Sequence, residues 1–121
     1  MIKLTFCLRR LPPLSREEFQ RYWREQHAPL VAKHAKTLGI LRYVQVHAGH
    51  DVLNAGIRAS RNAPEPYDGV AELWFESEAA LAANTGEAAA RAGAELLEDE
   101  KKFIDLANSP LWFNDEHAIV G

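Results

Sequence analysis

The chain has 121 residues, 47% of them hydrophobic and 26% charged, with a net charge of -3 and an isoelectric point near 5.9. That length suits one domain with one core, the composition argues against disorder, and the acidic balance argues against a nucleic-acid partner, which needs a cationic surface to displace counterions. No apolar run reaches the roughly 18 residues of a membrane span, and the single cysteine, Cys7, cannot form an internal disulfide; no membrane partner is expected, and the expected location is a reducing cytoplasm.

Residues 2–8 alternate, with Ile2, Leu4, Phe6 and Leu8 on one face and Lys3, Thr5 and Cys7 on the other, which predicts a strand. The stretch is too short and too alternating for a secretory signal. Pro12 and Pro13 end it, since proline donates nothing to a ladder. Ser15 followed by Glu18 is a capping box, so a helix is expected from Arg16 towards Leu38, with Gly39 as its C′ residue. Phe19, Trp23, His27, Leu30, His34 and Leu38 share one stripe of that helix. Pro29 cannot donate to the carbonyl of Glu25, so a kink or a brief break is expected beside His27.

Residues 40–48 read as a second strand, with Tyr43, Gln45 and His47 on one face and Val44 and Val46 on the other. Between 49 and 68, either Asp51 caps a short helix carrying Val52, Leu53 and Ile57, or the segment is a mobile lid. A third strand covers 69–75, with Ala71, Leu73 and Phe75 facing one way and Val70, Glu72 and Trp74 the other. Ser77 caps a short helix ending near Asn84–Gly86, and a longer helix follows with Ala89, Ala92, Leu96, Phe103 and Ala107 on one stripe. A last strand is expected over 112–120, after Pro110. The order β-α-β-β-α-β predicts an α+β, ferredoxin-like domain over residues 1–121, a four-stranded antiparallel sheet with its helices on one face. The bare face is apolar as well, so a homodimer packed sheet to sheet is expected.

Several of these residues stand in an order that resembles the EthD-like family of the dimeric α/β-barrel superfamily. They are Phe19, Tyr22-Trp23 and His27-Ala28-Pro29-Leu30, then Tyr43-Val44-Gln45, Asp68 to Phe75, Asp99-Glu100 with Phe103-Ile104-Asp105, and Glu116-His117. The resemblance implies a ferredoxin-like protomer dimerised through its sheets. It also implies cofactor-free chemistry: relatives decarboxylate or dehydrate aromatic polyketide acids, isomerise lactones, cyclise polyketides or accompany ether degradation.

His27 is the first candidate for a general acid/base, because imidazole gives and takes protons near pH 7. Asp99 or Glu100 could orient it, or act as a base with a pKa raised by burial. Alternatively they form a surface acidic run with Glu98, paired with Lys101 and Lys102. Tyr22, Trp23, Tyr43, Gln45, His47, Glu72 and Trp74 are candidate substrate contacts, and which strand rows face the helices stays open. A metal site from His47, His50, Asp51, Glu116 and His117 is the weaker rival, since neighbouring strand residues point to opposite faces; no metal and no organic cofactor is expected. The expected function is proton transfer on a small aromatic or carbonyl-bearing acid, as a lyase or isomerase. A non-catalytic ligand-binding or accessory role is the alternative.

Overall fold

β1 (Ile2–Leu8) runs through the middle of the sheet, paired on one side with β3 (Gly69–Phe75) and on the other with β4 (Leu111–Asn114). β2 (Arg42–His47) pairs with the far side of β3, giving the antiparallel order β2-β3-β1-β4. This is the ferredoxin-like arrangement, seen in a computed structural model that describes residues 1–121. Leu4 stands opposite Leu73 and Phe113, and Phe6 opposite Ala71 and Leu111. Tyr43 and Gln45 stand opposite Leu73 and Ala71 in turn, so this whole set shares one face.

The helical layer covers that face. It comprises α1 (Arg16–Tyr22), a π turn (Trp23–His27), α2 (Ala28–Leu38), α4 (Glu78–Ala83) and α5 (Glu87–Glu100), while α3 (Asp51–Arg61) lies after β2. The Ser15–Glu18 capping box is complete in both directions, and Gly39 ends α2 in the left-handed region at φ 75°. The proline break takes a specific form. The Ala28 N–H reaches back five residues to the Trp23 carbonyl, and this single wide turn absorbs the donor that Pro29 lacks. Phe19, Trp23, Phe103, Ile104, Phe6, Leu8 and Ala71 form the core between the layers.

Two boundaries differ from the sequence reading. α5 stops at Glu100 instead of continuing to Ala107. Ile104 leaves the helix to form a bridge with Arg10, the Asp105 N–H bonds the Arg9 carbonyl, and Phe103 enters the core from this turn. The last strand covers Leu111–Asn114 and not 112–120, because the chain then leaves the sheet edge and Glu116 accepts from the Trp74 indole. Of the two alternatives for the segment after β2, the structure has the helix, which carries Val52, Leu53 and Ile57. His50 in the left-handed region (φ 58°) is its cap, while Asp51 is its first residue and grips the Arg16 guanidinium at 2.8 and 3.1 Å. α3 buries no residue, and Val52 and Ile57 on it are 89% and 59% exposed.

The other face of the sheet carries Val44, Val46, Val70, Trp74 and Trp112 around an ion pair between Lys3 and Glu72. Lys3 and Arg42 both lie over the Trp74 ring, at 4.9 and 4.7 Å.

Gly69 sets the distance between the layers, since a Cβ there would lie 2.5 Å from Trp23 Cζ3 and 2.7 Å from the Val46 carbonyl oxygen. Gly69→Ala is expected to destabilise the fold by about 1–3 kcal/mol through overpacking. Urea unfolding should show a lower midpoint with an unchanged slope; a wild-type midpoint would mean that Trp23 is free to move aside.

Candidate active site

A cavity of about 430 Å³ lies between the helices and the sheet, within the size range of small-molecule sites. Small residues of α5 border it: Ala89 and Gly93, four apart on the helix, line it together with Leu4 and Leu73 of the sheet. A Cβ on Gly93 would meet nothing within 4 Å. Asn84, Thr85 and Gly86 line one end, where the Asn84 amide bonds the Thr37 carbonyl at 3.0 Å.

His27, Tyr43 and Glu100 are the titratable groups in the lining. His27 Nδ1 lies 2.8 Å from Asp99 Oδ2, and the ring packs on Phe103 with centroids 5.0 Å apart. The Tyr22 hydroxyl donates to the other Asp99 oxygen at 2.6 Å, and Lys102 Nζ lies 3.4 Å from it. A carboxylate accepts, so Nδ1 carries the imidazole proton and Nε2 is the basic nitrogen. Nε2 has no protein partner, yet no buried side-chain nitrogen or oxygen lacks one, so Nε2 is open to the cavity that His27 lines.

Burial lowers the His27 pKa below the usual value even though the hydrogen bond and charge of Asp99 oppose it, which leaves the ring neutral at pH 7. Burial alone would raise Asp99, but hydrogen bonds from Tyr22, His27 and Lys102, with the charge that His27 carries at low pH, hold it below the ordinary carboxylate range. Tyr22 is pushed up to about 12 by burial and by Asp99. Glu100 is raised to about 7, mainly by burial and then by the charge of Asp99. Tyr43 is raised by burial, and Gln45 Nε2 donates to its oxygen at 2.8 Å, which leaves the phenol proton to point elsewhere. At neutral pH this end of the cavity therefore offers a neutral base, a carboxyl near half-titration and a phenol donor.

The other sequence candidates are distributed unevenly. Trp23 lines the cavity, whereas Tyr22 stands behind Asp99. Gln45 and His47 face the helices but support the wall from behind. Gln45 bonds the Trp23 carbonyl at 3.0 Å, and His47 bonds Gln45 at 2.8 Å and stacks on Trp23 at 4.4 Å. Glu72 and Trp74 do not belong to this cavity. Strand alternation turns them to the opposite face with Lys3 and Thr5, where Glu72 pairs with Lys3. His47, His50, Asp51, Glu116 and His117 do not converge, and no three His, Cys, Asp or Glu side chains are grouped to hold a metal. Sequence reasoning places Ala89 on a packing stripe and does not single out Ala90 and Gly93, and all three line the cavity. The signal in the sequence is the small residues at 88–90 and 92–94, on either side of Arg91.

The EthD domain model matches residues 11–107. The chain belongs to the EthD family. Among curated proteins nothing matches the sequence. Three solved structures share the fold of this EthD protein. An ethyl tert-butyl ether D (EthD) family protein from Bacillus halodurans C-125 superposes with a TM-score of 0.60 at 18% identity, over 97% of this chain and 99% of its own. HapK from Hahella chejuensis gives 0.59 at 13% identity, over 100% and 96%. An EthD-like protein from Ralstonia eutropha JMP134 gives 0.58 at 16% identity, over 94% and 90%.

Because the folded pKa of Glu100 is raised, its protonated form stabilises the fold below about pH 4.5, and that contribution is lost as the pH rises through about 7. Glu100→Gln lacks the titration. Its stability relative to the wild type should climb between pH 5 and 8 in thermal or urea unfolding, and a constant difference across that range would show that Glu100 ionises freely.

Proposed function

We propose that this EthD protein is a cofactor-free enzyme that moves protons on a small aromatic or carbonyl-bearing substrate. The observation that carries the reading is the Tyr22–Asp99–His27 chain, which fixes one imidazole nitrogen as the donor to Asp99 and leaves the other free towards the cavity. In this scheme His27 Nε2 takes a proton from carbon next to a carbonyl or on an electron-rich ring, and Asp99 stabilises the imidazolium that forms. Tyr43 donates to the substrate oxygen, where negative charge develops. Glu100, with its pKa near neutrality, returns a proton to a second position. Isomerisation and dehydration both use this set: the first returns the proton at a second position, and the second expels water.

The test needs no known substrate. Solvent deuterium uptake into a panel of enolisable aryl ketones, followed by proton NMR, should exceed the buffer rate in the wild type. His27→Gln should lose about 10²-fold or more of that rate. Asp99→Asn should also lose most of it, because an amide can present its N–H to Nδ1 and favour the wrong tautomer. A wild-type rate no faster than buffer would favour a binding or accessory role for the same cavity.

We also propose that the protein is a homodimer joined through the sheet face that bears Val46 and Trp112, both more than 40% exposed in the single chain. Lys3 and Glu72 already neutralise each other there, so a second sheet can cover them without leaving a charge unpaired. Sedimentation should give twice the chain mass, and Val46→Glu should shift it towards the monomer. A monomeric wild type at micromolar concentration would overturn the assignment.

A further inference from the structure

The cavity has 23 lining residues, and none of them is lysine or arginine. Seventeen are hydrophobic, and the ionisable groups among them are His27, Tyr43 and Glu100. His27 is neutral at pH 7, and its Nδ1 proton is already given to Asp99. The cation that reaches Asp99, Lys102, bonds it from outside the cavity lining with its side chain 65% exposed. The free amides at the α5 N-terminus lie by Gly86, among the residues of the other end, and Glu87 in the first turn already supplies a negative charge there.

A carboxylate brought to the His27 end would thus exchange water for an apolar wall and meet no counter-charge. It would also face the carboxyl of Glu100 directly and that of Asp99 behind the imidazole. An unpaired anion in such surroundings is strongly disfavoured. A neutral oxygen fares differently. It can accept from the Tyr43 hydroxyl or from protonated Glu100, and a phenol or enol can donate to His27 Nε2 or to ionised Glu100.

We propose that the enclosed ligand is uncharged at its buried end, a phenol, ketone or enol whose oxygen meets His27, Tyr43 and Glu100, and that carboxylates are turned away. This rests on the cavity being the working site, and it revises the expectation of an acid substrate. It makes the site selective by electrostatics, since a hydrophobic wall alone distinguishes poorly between ligands of the same shape. The groups that set the potential at this end are Glu100 and Asp99 on α5, His27 on the π turn and Tyr43 on β2.

The probes are 2-naphthol and 2-naphthoate, two flat molecules of one ring system that differ in charge, measured by titration calorimetry at pH 8 on the full chain. Naphthol is expected to bind at least tenfold more tightly than naphthoate. Glu100→Gln should raise the naphthoate affinity severalfold and so narrow the gap. Gly93→Phe, which fills the cavity and should retain the wild-type circular dichroism spectrum, should weaken naphthol at least tenfold. Naphthoate binding as tightly as naphthol overturns the proposal, as does the absence of measurable naphthol binding to the wild type. Undiminished naphthol binding to a folded Gly93→Phe variant overturns it too, by locating the probe elsewhere. Naphthoate unchanged in Glu100→Gln removes the electrostatic cause. No turnover is read, so an inert wild type leaves this result standing, and failed discrimination leaves the proton-transfer reading standing.

Discussion

A carboxylate enclosed between helical segments must be paired, because removing its partners leaves a buried charge that costs several kcal/mol. Asp99 is met by Tyr22 from α1, by His27 from the π turn and by Lys102 from the turn after α5. These contacts tie the first helical segments to α5 across 72 and 77 residues of sequence, and they fix the rotation of the imidazole. They also divide the labour of two adjacent acids. Asp99 has its charge satisfied and stays ionised, whereas Glu100, next in sequence, turns into an apolar cavity and holds its proton to near neutrality. Two neighbouring carboxyls pushed apart in this way are a recurring basis for assigning acid and base roles.

The second constraint is the Trp23 ring. It lies on Gly69 on one side and stacks with His47, while its carbonyl receives both the Ala28 N–H and the Gln45 side chain. The π turn makes this possible: the same wide turn that spares Pro29 a lost hydrogen bond keeps Trp23 and His27 both buried, four residues apart. Gln45 and His47 thus matter to the site without lining it. They brace Tyr43 and Trp23, which do.

The local features were legible from residues alone. The capping box at Ser15, the left-handed Gly39 and the alternation of β1 depend on neighbours within a turn or a strand. The stripe on one helix and the family resemblance together point to Asp99 or Glu100 beside His27, while only the structure separates the two acids, since Asp99 meets Tyr22 and His27 and Glu100 lines the cavity. The row Glu72–Trp74 was as plausible a wall as Tyr43–Gln45, since alternation defines two faces and not which one meets the helices. The end of α5 was illegible for a similar reason. Nothing in the helix pattern of residues 101–107 announces that Ile104 finds a strand-like partner in Arg10. The cavity is the hardest case, because it is made by side chains that are small, and a sequence displays atoms more readily than the lack of them.

The space opposite Gly93 has an energetic side as well. Interiors pack close to the density of organic crystals, and walls that face a gap give up the dispersion contacts they would otherwise make. The fold therefore holds part of its attainable stability in reserve. A small molecule that binds only the folded chain draws on that reserve by mass action, by about 2.7 kcal/mol when present at a hundredfold excess over its dissociation constant. In a domain of this size such a gain shifts the melting midpoint by several degrees. The small residues of α5 thus leave a space unfilled, and any small molecule that filled it would register as a rise in the thermal stability of the protein.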